Sequence, residues 1–263
     1  MVDILSGLQQ RTTSGSRVAQ IGSGVRRLEI PTGPGERYRL AQLDDCHLKP
    51  RRALQWKAPL SMSLQVRAST ETIPGTWGFG LWNDPFSMAI LGGRDLIRLP
   101  TLPNTAWFFF ASPPNYLSLD DDIPHKGSLA ATFRTPKWPP LFLAFGLPFI
   151  PFLAVPSIAR LVRRIGRRFI QQAGTDFSLV TMEWHSYRLE WRRDGASFFV
   201  DGALILETPV APLGPLGIVL WVDNRYAAYP PDGRIRYGAL KNPEAAWIEI
   251  KDLTVSPPSG NWV

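Results

Sequence analysis

Residues 181–209 read TMEWHSYRLEWRRDGASFFVDGALILETP, and this stretch decides the predicted fold. Apolar and polar residues alternate along it, which is typical of β-strands that bury one face. Asp201 and Gly202 separate two of its apolar runs, and an Asp-Gly pair accepts the positive φ angles of a tight two-residue turn. The stretch therefore predicts strands at 184–192, 196–201 and 203–208, the last two joined in a hairpin.

The same kind of apolar run recurs through most of the chain. Runs bounded by turn residues predict further strands near 25–30, 36–43, 60–68, 76–83, 105–111, 128–134, 216–223 and 246–255. About eleven short strands are typical of a sandwich or barrel, and sandwiches of about 200 to 250 residues commonly form one domain. We therefore predict an all-β chain with few helices and a single β-sandwich domain over residues 1–263.

The positive charge of the chain is concentrated in one segment. The formal net charge is +7, yet no acidic residue lies between Asp122 and Asp176, where five arginines fall within nine positions. No aromatic interleaving or recognised nucleic-acid module accompanies these arginines, so we expect no nucleic-acid partner.

Few residues could support a metal, a cofactor or a disulfide. Cys46 is the only cysteine, which excludes an intrachain disulfide and a thiolate zinc site. His47, His125 and His185 lack the spacing of metal ligands, and no P-loop, dinucleotide-binding or nucleophile-elbow motif occurs. We therefore predict no metal and no cofactor. The lone cysteine and an N-terminus without a basic and apolar leader predict a cytoplasmic protein, with a peripheral position on the inner face of the membrane as a further option.

Three blocks of the sequence carry a resemblance to a known family. The stretch at 181–209 is similar to the segment of family 16 glycoside hydrolases and related lectin-like domains that ends in Phe-x-Val-Asp-Gly. The matching positions here are Trp184, His185, Tyr187, Glu190, Trp191, Phe199, Val200, Asp201 and Gly202. GTWGFGLWNDP at 75–85 resembles the family's Trp-bearing strand, and AWIEIKDLTV at 246–255 resembles its closing strand. The resemblance implies a concanavalin A-like fold, a two-sheet antiparallel jelly-roll sandwich.

The catalytic motif of that family is missing where the resemblance would place it. Family 16 enzymes carry Glu-x-Asp-x-x-Glu or a close variant, because retaining hydrolysis needs two carboxyl groups about 5 Å apart. The corresponding stretch NTAWFFFASPPNYLSL at 104–119 contains no carboxylate, and Asp120, Asp121 and Asp122 are consecutive, so they cannot share one strand face. We expect a solvated loop or turn at these aspartates and no hydrolysis by the usual residues, while a noncanonical hydrolase or cyclase-type activity stays open.

Two of the predicted strands share a pattern that suggests a ligand site. Their inward residues are Trp77, Phe79 and Leu81 on one strand and Leu216, Ile218, Leu220 and Val222 on the other. Their outward residues are Gly78, Gly80, Trp82 and Asp84 on one strand and Gly217, Val219, Trp221 and Asp223 on the other. A glycine floor lets a ligand approach closely, tryptophan offers a stacking surface, and aspartate binds hydroxyls or transfers a proton.

This pattern gives the candidate site residues. Asp84 and Asp223 are the candidate catalytic acids, and their separation would decide whether they act as a glycosidase pair. The candidate ligand-binding residues are Trp82, Trp107, Trp221, Asn224 and Tyr226. The alternative reading is that the tryptophans pack against loops and the aspartates open turns.

An insertion at 138–174 departs from the family pattern. Residues 139–159 are uncharged, and five prolines argue against a regular membrane-spanning helix. The following SIARLVRRIGRRFIQQ predicts a helix with Ser157 as N-cap and Gly174 near its C-terminus. Its apolar stripe comprises Ile158, Leu161, Val162, Ile165 and Phe169. The residues assigned to a membrane anchor or lid are Phe142, Phe145, Phe149, Phe152, Arg160, Arg163, Arg164, Arg167 and Arg168. Three interpretations stay open: a membrane-interface anchor, a lid over the sandwich, and a homodimer contact.

Two functions follow from these observations. The first is a carbohydrate-binding module that has lost the family's catalytic carboxylates and keeps aromatic platforms for sugar rings. The second is a membrane-associated enzyme or binding protein for an apolar ligand, such as a lipid or isoprenoid, with Asp84 or Asp223 as acid or base. The partners expected are accordingly a glycan or an apolar small molecule, with an anionic membrane surface as a further option.

Overall fold

A computed structural model describes residues 4–13, 15–46, 49–85, 101–137 and 147–257, the side chains of 147–150 excepted. These residues contain two seven-stranded sheets and one two-stranded sheet. Sheet A runs in the order β1 (Gln9–Thr13), β4 (Leu40–Asp44), β13 (Gly217–Asp223), β6 (Thr76–Trp82), β7 (Thr105–Ala111), β8 (Gly127–Arg134) and β9 (Gln171–Asp176). Sheet B runs in the order β12 (Ala203–Thr208), β11 (Ala196–Val200), β10 (His185–Trp191), β5 (Leu60–Ala68), β16 (Ala246–Ser256), β3 (Arg26–Ile30) and β2 (Arg17–Gln20). All pairs within both sheets are antiparallel, so the predicted two-sheet sandwich is confirmed.

The smaller elements connect and flank these sheets. β14 (Arg225–Ala228) and β15 (Arg236–Ala239) form the two-stranded sheet. Among the described residues, the helical elements are α1 (Ile4–Gly7), α2 (Pro156–Phe169) and two 3-10 segments, Arg51–Ala53 and Leu147–Ala154. Within the described ranges, no helix is long and apolar enough to cross a membrane.

The core lies between the inner faces of the two sheets. Trp77 of β6 stacks on Phe110 of β7 with ring centroids 3.5 Å apart, and Tyr187 of β10 meets Phe79 at 4.9 Å across the sandwich. Trp77, Phe79 and Leu81 are buried in this core together with Leu216, Ile218, Leu220 and Val222. The predicted alternation of both strands is confirmed, which leaves their other faces on the outside of sheet A.

The hairpin turn forms as its sequence predicts. Asp201 has φ 49° and Gly202 has φ 82°, so both central residues adopt the left-handed conformation. The Asp201 carboxylate also accepts a hydrogen bond from the backbone N–H of Ser186 at 2.8 Å. The side chain thereby ties the turn to the neighbouring strand.

The basic helix differs from its prediction at both ends. α2 starts at Pro156 with Val155 as the N-cap residue, so Ser157 is inside the helix, because proline at the first turn lacks only an N–H that would be unpaired anyway. The helix ends at Phe169, and Gly174 lies in β9, which pairs with β8 as an outer strand of sheet A. The backbone after Phe169 thus extends the sheet instead of continuing the helix.

Candidate functional site: the outer face of sheet A

Apolar and aromatic side chains cover the centre of the outer face of sheet A. We call this cluster the aromatic face; it comprises Leu40, Trp82, Trp107, Phe109, Leu129, Val219 and Trp221. The ring centroids of Trp107, Phe109 and Trp221 lie 5.2 to 5.5 Å from one another. Trp221 is only 8% exposed, whereas Trp82 and Trp107 are half-buried. The accessible part of the cluster is therefore carried by Trp82 and Trp107, and Trp221 supports Trp107 from the side.

The glycines of β6 leave room for the neighbouring tryptophans. A Cβ on Gly78 would lie 2.6 Å from Trp221 Cη2 and 2.4 Å from the Phe108 carbonyl oxygen. A Cβ on Gly80 would lie 2.6 Å from the Cα of Trp107. We expected this glycine floor to admit a ligand; instead the Trp221 indole occupies the space above Gly78. Gly78 and Gly80 therefore allow Trp221 and Trp107 to pack closely on β6.

Asp223 ends β13 within a hydrogen-bonded network. Its carboxylate accepts hydrogen bonds from Thr76 Oγ1 at 2.8 Å, Tyr38 Oη at 3.2 Å and the Arg225 backbone N–H at 3.2 Å. Trp221 Nε1 donates to Thr76 Oγ1 at 3.1 Å, which links the network to the aromatic face. Burial outweighs these hydrogen bonds and raises the pKa of Asp223 to about 6. This carboxyl could therefore hold or release a proton near neutral pH.

Asp84 lies at the other end of the same strand pair. Asp223 pairs with Thr76, whereas Trp82, just before Asp84, pairs with Gly217. The six residue steps along β13 span roughly 20 Å at about 3.3 Å each. That separation exceeds the about 6.5 to 9.5 Å of an inverting acid pair, so the hypothesis that Asp84 and Asp223 act as one glycosidase pair is wrong.

Asp84 also has the local geometry of a turn residue. Its φ is 47°, and its backbone carbonyl accepts hydrogen bonds from Arg51 Nε at 3.1 Å and Nη2 at 2.7 Å. Its carboxylate lies close enough to Cys46 to add to the burial that raises the pKa of that thiol. These contacts favour the alternative reading, in which Asp84 opens a turn before Pro85.

Asn224 and Tyr226 do not reach the aromatic face. The Asn224 side chain is buried and fully hydrogen-bonded to backbone: it accepts from Arg39 N–H at 2.8 Å and donates to the carbonyls of Arg37 and Leu240. Tyr226 lies in β14, opposite Gly238 of β15. β13 ends at Asp223 and the chain leaves sheet A there, so these two residues lie beyond the aromatic face, and their role in ligand binding stays a prediction.

Sequence reasoning missed a polar cluster beside the tryptophans. Asp44 is fully buried; its carboxylate accepts a hydrogen bond from Gln42 Nε2 at 2.7 Å and lies 3.7 Å from Arg11 Nη1. Gln42 pairs with Trp221 in the sheet register, so this cluster adjoins the aromatic face. The alternation in LAQLD places Gln42 and Asp44 on the outer face of β4, so these two residues could have been found from the sequence. Arg11 lies in β1, a strand that was not predicted.

The arginines of α2 divide into two groups. Arg163 pairs with Asp121, Arg167 with Asp120 at 2.9 Å, and Arg160 donates to the Asp232 carbonyl at 3.3 Å. Residues 120–122 form a turn with Asp121 and Asp122 exposed, and this turn also anchors the helix. Arg164 and Arg168 are exposed, as is Phe152. Phe142 and Phe145 lie outside the described residues, and so does the side chain of Phe149.

Comparison with known proteins supports the fold. No protein-family model matches the chain, and no curated protein matches it. A family 16 endo-glucanase from Bacteroides ovatus, solved with a bound ligand, is similar over 95% of this chain and 94% of its own, at 9% identity and a TM-score of 0.53. A β-glucanase from Bacillus licheniformis matches 95% of this chain and 92% of its own, at 11% identity and a TM-score of 0.46. A sialidase matches 97% of this chain at 10% identity and a TM-score of 0.46, and this chain spans 17% of that sialidase's length.

The match to the Bacteroides ovatus structure shows the fold. The chain is a concanavalin A-like sandwich, and its fold is that of family 16 glycoside hydrolases. Identities this low establish the shared fold alone.

Proposed function

We propose that this protein binds a glycan on the aromatic face of sheet A. The observation that carries the proposal is the pair of half-buried rings, Trp82 and Trp107, on adjacent strands of that face. Aromatic rings present flat apolar surfaces, and the apolar faces of sugar rings pack against such surfaces. The support from Phe109 and Trp221 holds Trp107 in place before a ligand arrives, which lowers the entropy cost of binding.

Polar groups lie next to the aromatic face; of the four named here, Tyr38 is half-buried and the other three are buried. Asp223 and Tyr38 lie at one end of β13, and Gln42 and Asp44 lie on the neighbouring strand β4. Binding sites for polar ligands commonly combine an apolar surface with a few placed donors and acceptors. The outer face of sheet A has this combination.

The arrangement supports binding better than family-type hydrolysis. β7 carries Trp107 and Phe109 on its outer face and no carboxylate. The distance between Asp84 and Asp223 removes the acid pair that the sequence offered. The named activity of the similar Bacteroides ovatus protein, an endo-glucanase, suggests glucans as the first glycans to test.

Titration calorimetry with glucan oligosaccharides tests the proposal. Trp107→Ala should weaken binding at least tenfold, because it removes one of the two accessible rings. Trp184→Ala is the matched control: it removes a tryptophan that contacts Arg67 and Lys251, residues of sheet B, and should bind like wild type. No binding of any glycan on an array by folded wild-type protein would overturn the proposal, as would equal loss in both variants.

A second candidate has its own supporting observation. The accessible rings of the aromatic face, Trp82 and Trp107, belong to a cluster that is otherwise apolar, and such a surface also suits an apolar ligand, with Asp223 alone as the acid or base. Displacement of an apolar fluorescent probe by isoprenoid alcohols but not by glycans would favour this function. Displacement by glycans alone would favour the first.

A further inference from the structure

Helix α2 packs on the sandwich through its small residues and one arginine. Ala159 is buried, and Gly166 faces Leu119. The Arg163 side chain is 9% exposed. Its Nη1 donates to the carbonyls of Ser118 at 2.9 Å and Tyr229 at 2.7 Å, and its Nη2 pairs with Asp121. This face of the helix contains none of the large apolar residues.

Ion pairs therefore set how the helix is rotated. Arg167 lies one turn beyond Arg163 and pairs with Asp120 at 2.9 Å and with Asp121 at 3.7 Å. A helix on a protein surface ordinarily turns its apolar stripe to the core, because burial of apolar area drives packing. Here charge-assisted hydrogen bonds to the aspartate loop hold another face against the protein.

The apolar stripe consequently faces away from the sandwich. Its exposed residues are Leu161, Val162, Ile165 and Phe169, and Phe152 and Val155 precede them in the chain; all six are between 38% and 54% exposed. Positions 161, 165 and 169 follow one another at helical spacing, so the exposed side chains form a continuous strip. A contiguous apolar strip on a surface marks an interaction site.

Two arginines give this strip a charge. Arg164 and Arg168 are exposed, and within the described part of the chain neither has an acidic partner in an ion pair. On a helix Arg164 projects beside Leu161 and Arg168 beside Ile165, each three residues away in sequence. The surface therefore combines apolar side chains with positive charge, and its complement is an apolar layer bordered by negative charge.

We propose that this surface, made by Leu161, Val162, Arg164, Ile165, Arg168 and Phe169, docks α2 onto the interfacial layer of an anionic lipid bilayer. The apolar side chains enter the boundary between head groups and acyl chains, and the two arginines contact anionic head groups. With its 14 residues α2 lies along the surface and does not cross it. The proposal is independent of glycan binding, since it uses no residue of the aromatic face.

Vesicle flotation with the full chain tests the docking. Wild-type protein should bind vesicles of phosphatidylcholine mixed with phosphatidylglycerol at least tenfold more tightly than vesicles of phosphatidylcholine alone. Leu161→Ser with Ile165→Ser should abolish binding to both. Arg164→Gln with Arg168→Gln should weaken binding to the anionic vesicles by about twenty-five-fold, because each arginine near such a surface contributes about fivefold.

Matched controls separate docking from general stickiness. Leu204→Ser changes an equally exposed leucine on β12, and Arg193→Gln changes an exposed arginine outside the helix; both should bind vesicles like wild type. All substituted side chains are exposed, so circular dichroism should show an unchanged fold. Absence of wild-type binding would overturn the proposal. Loss of a dimer in light scattering on Leu161→Ser with Ile165→Ser, without vesicle binding by wild type, would overturn it in favour of a contact between two copies.

Discussion

Single residues hold the aromatic face in place, and Gly78 illustrates how. A Cβ there would lie 2.6 Å from the Trp221 ring and 2.4 Å from the Phe108 carbonyl oxygen. The ring or the backbone would have to move to accommodate it, at a cost in stability. Gly78→Ala should lower the free energy of unfolding by about 1 to 3 kcal/mol, as overpacking does elsewhere, and should change tryptophan fluorescence. Urea unfolding measures the first effect. Gly7→Ala, where a Cβ meets nothing within 4 Å, is the control. Equal stability of the two variants would contradict the close fit.

Asp223 should make the stability of the protein depend on pH. Burial raises its pKa to about 6 in the folded protein, from 3.8 in the unfolded chain. The folded protein therefore holds this proton more tightly, and the contribution to stability, complete at low pH, is lost as pH rises through about 6. The unfolding free energy of wild type minus that of Asp223→Asn should fall by about 3 kcal/mol from acid to neutral pH. Urea titrations at several pH values measure this difference; a difference independent of pH would contradict the assignment.

The sequence predicted which residues share the outer face of sheet A, but not how closely those residues pack or how far apart they lie. Alternation correctly placed Gly78, Trp82 and Trp221 on one outer face. Alternation does not tell how deeply a side chain is buried, however, so it could not show that Trp221 fills the space over Gly78. It also gives no strand direction, and the antiparallel register is what separates Asp84 from Asp223.

At the scale of elements, the attachment of α2 depends on one buried arginine. Arg163 has three acceptors, whereas Arg164 beside it has no ion-pair partner among the described residues. Arg163→Gln should leave these acceptors poorly paired and loosen the helix by about 1.5 to 3 kcal/mol, the usual value of hydrogen bonds to a charged group. Hydrogen exchange should then accelerate at residues 156–169 at least tenfold, with the sheets unaffected. Arg164→Gln is the control and should exchange like wild type; equal protection in both variants would contradict the anchoring role.

The same helix shows which elements a sequence predicts well. All eleven predicted strands are present, because each has a clear apolar run to bury. The strands that were missed, β1, β2, β9, β14 and β15, are short or polar; β1 and β2 read QQRTT and RVAQ and pair at the edges of their sheets. Such strands form because a neighbouring strand offers hydrogen-bonding groups, which is information from the tertiary structure. The boundary between α2 and β9 was misplaced for the same reason.

At the scale of the whole molecule, the two outer faces of the sandwich differ in chemistry. Sheet A presents the packed rings of the aromatic face, whereas on sheet B tryptophans lie against charged residues around Glu249 of β16. Glu249 is 1% exposed, and its carboxylate pairs with Arg27 of β3 and with Arg67 of β5, the latter at 2.8 Å. The Arg27 guanidinium also lies 4.4 Å from the ring centre of Trp247. One carboxylate thus joins three strands of sheet B.

This division predicts that stability and binding can be changed separately. Glu249→Gln leaves two arginines without their shared charge, so we expect a loss of about 3 kcal/mol or more in the free energy of unfolding. Glu29→Gln, which removes the more exposed pair with Arg17, should cost less than about 1 kcal/mol. Below the unfolding transition, Glu249→Gln should bind glycan as wild type does, because sheet A is untouched, while Trp107→Ala should lose binding. A fall in glycan affinity with Glu249→Gln that matches its fall in stability would show that the two sheets act as one unit, and the binding site could then not be assigned to sheet A alone.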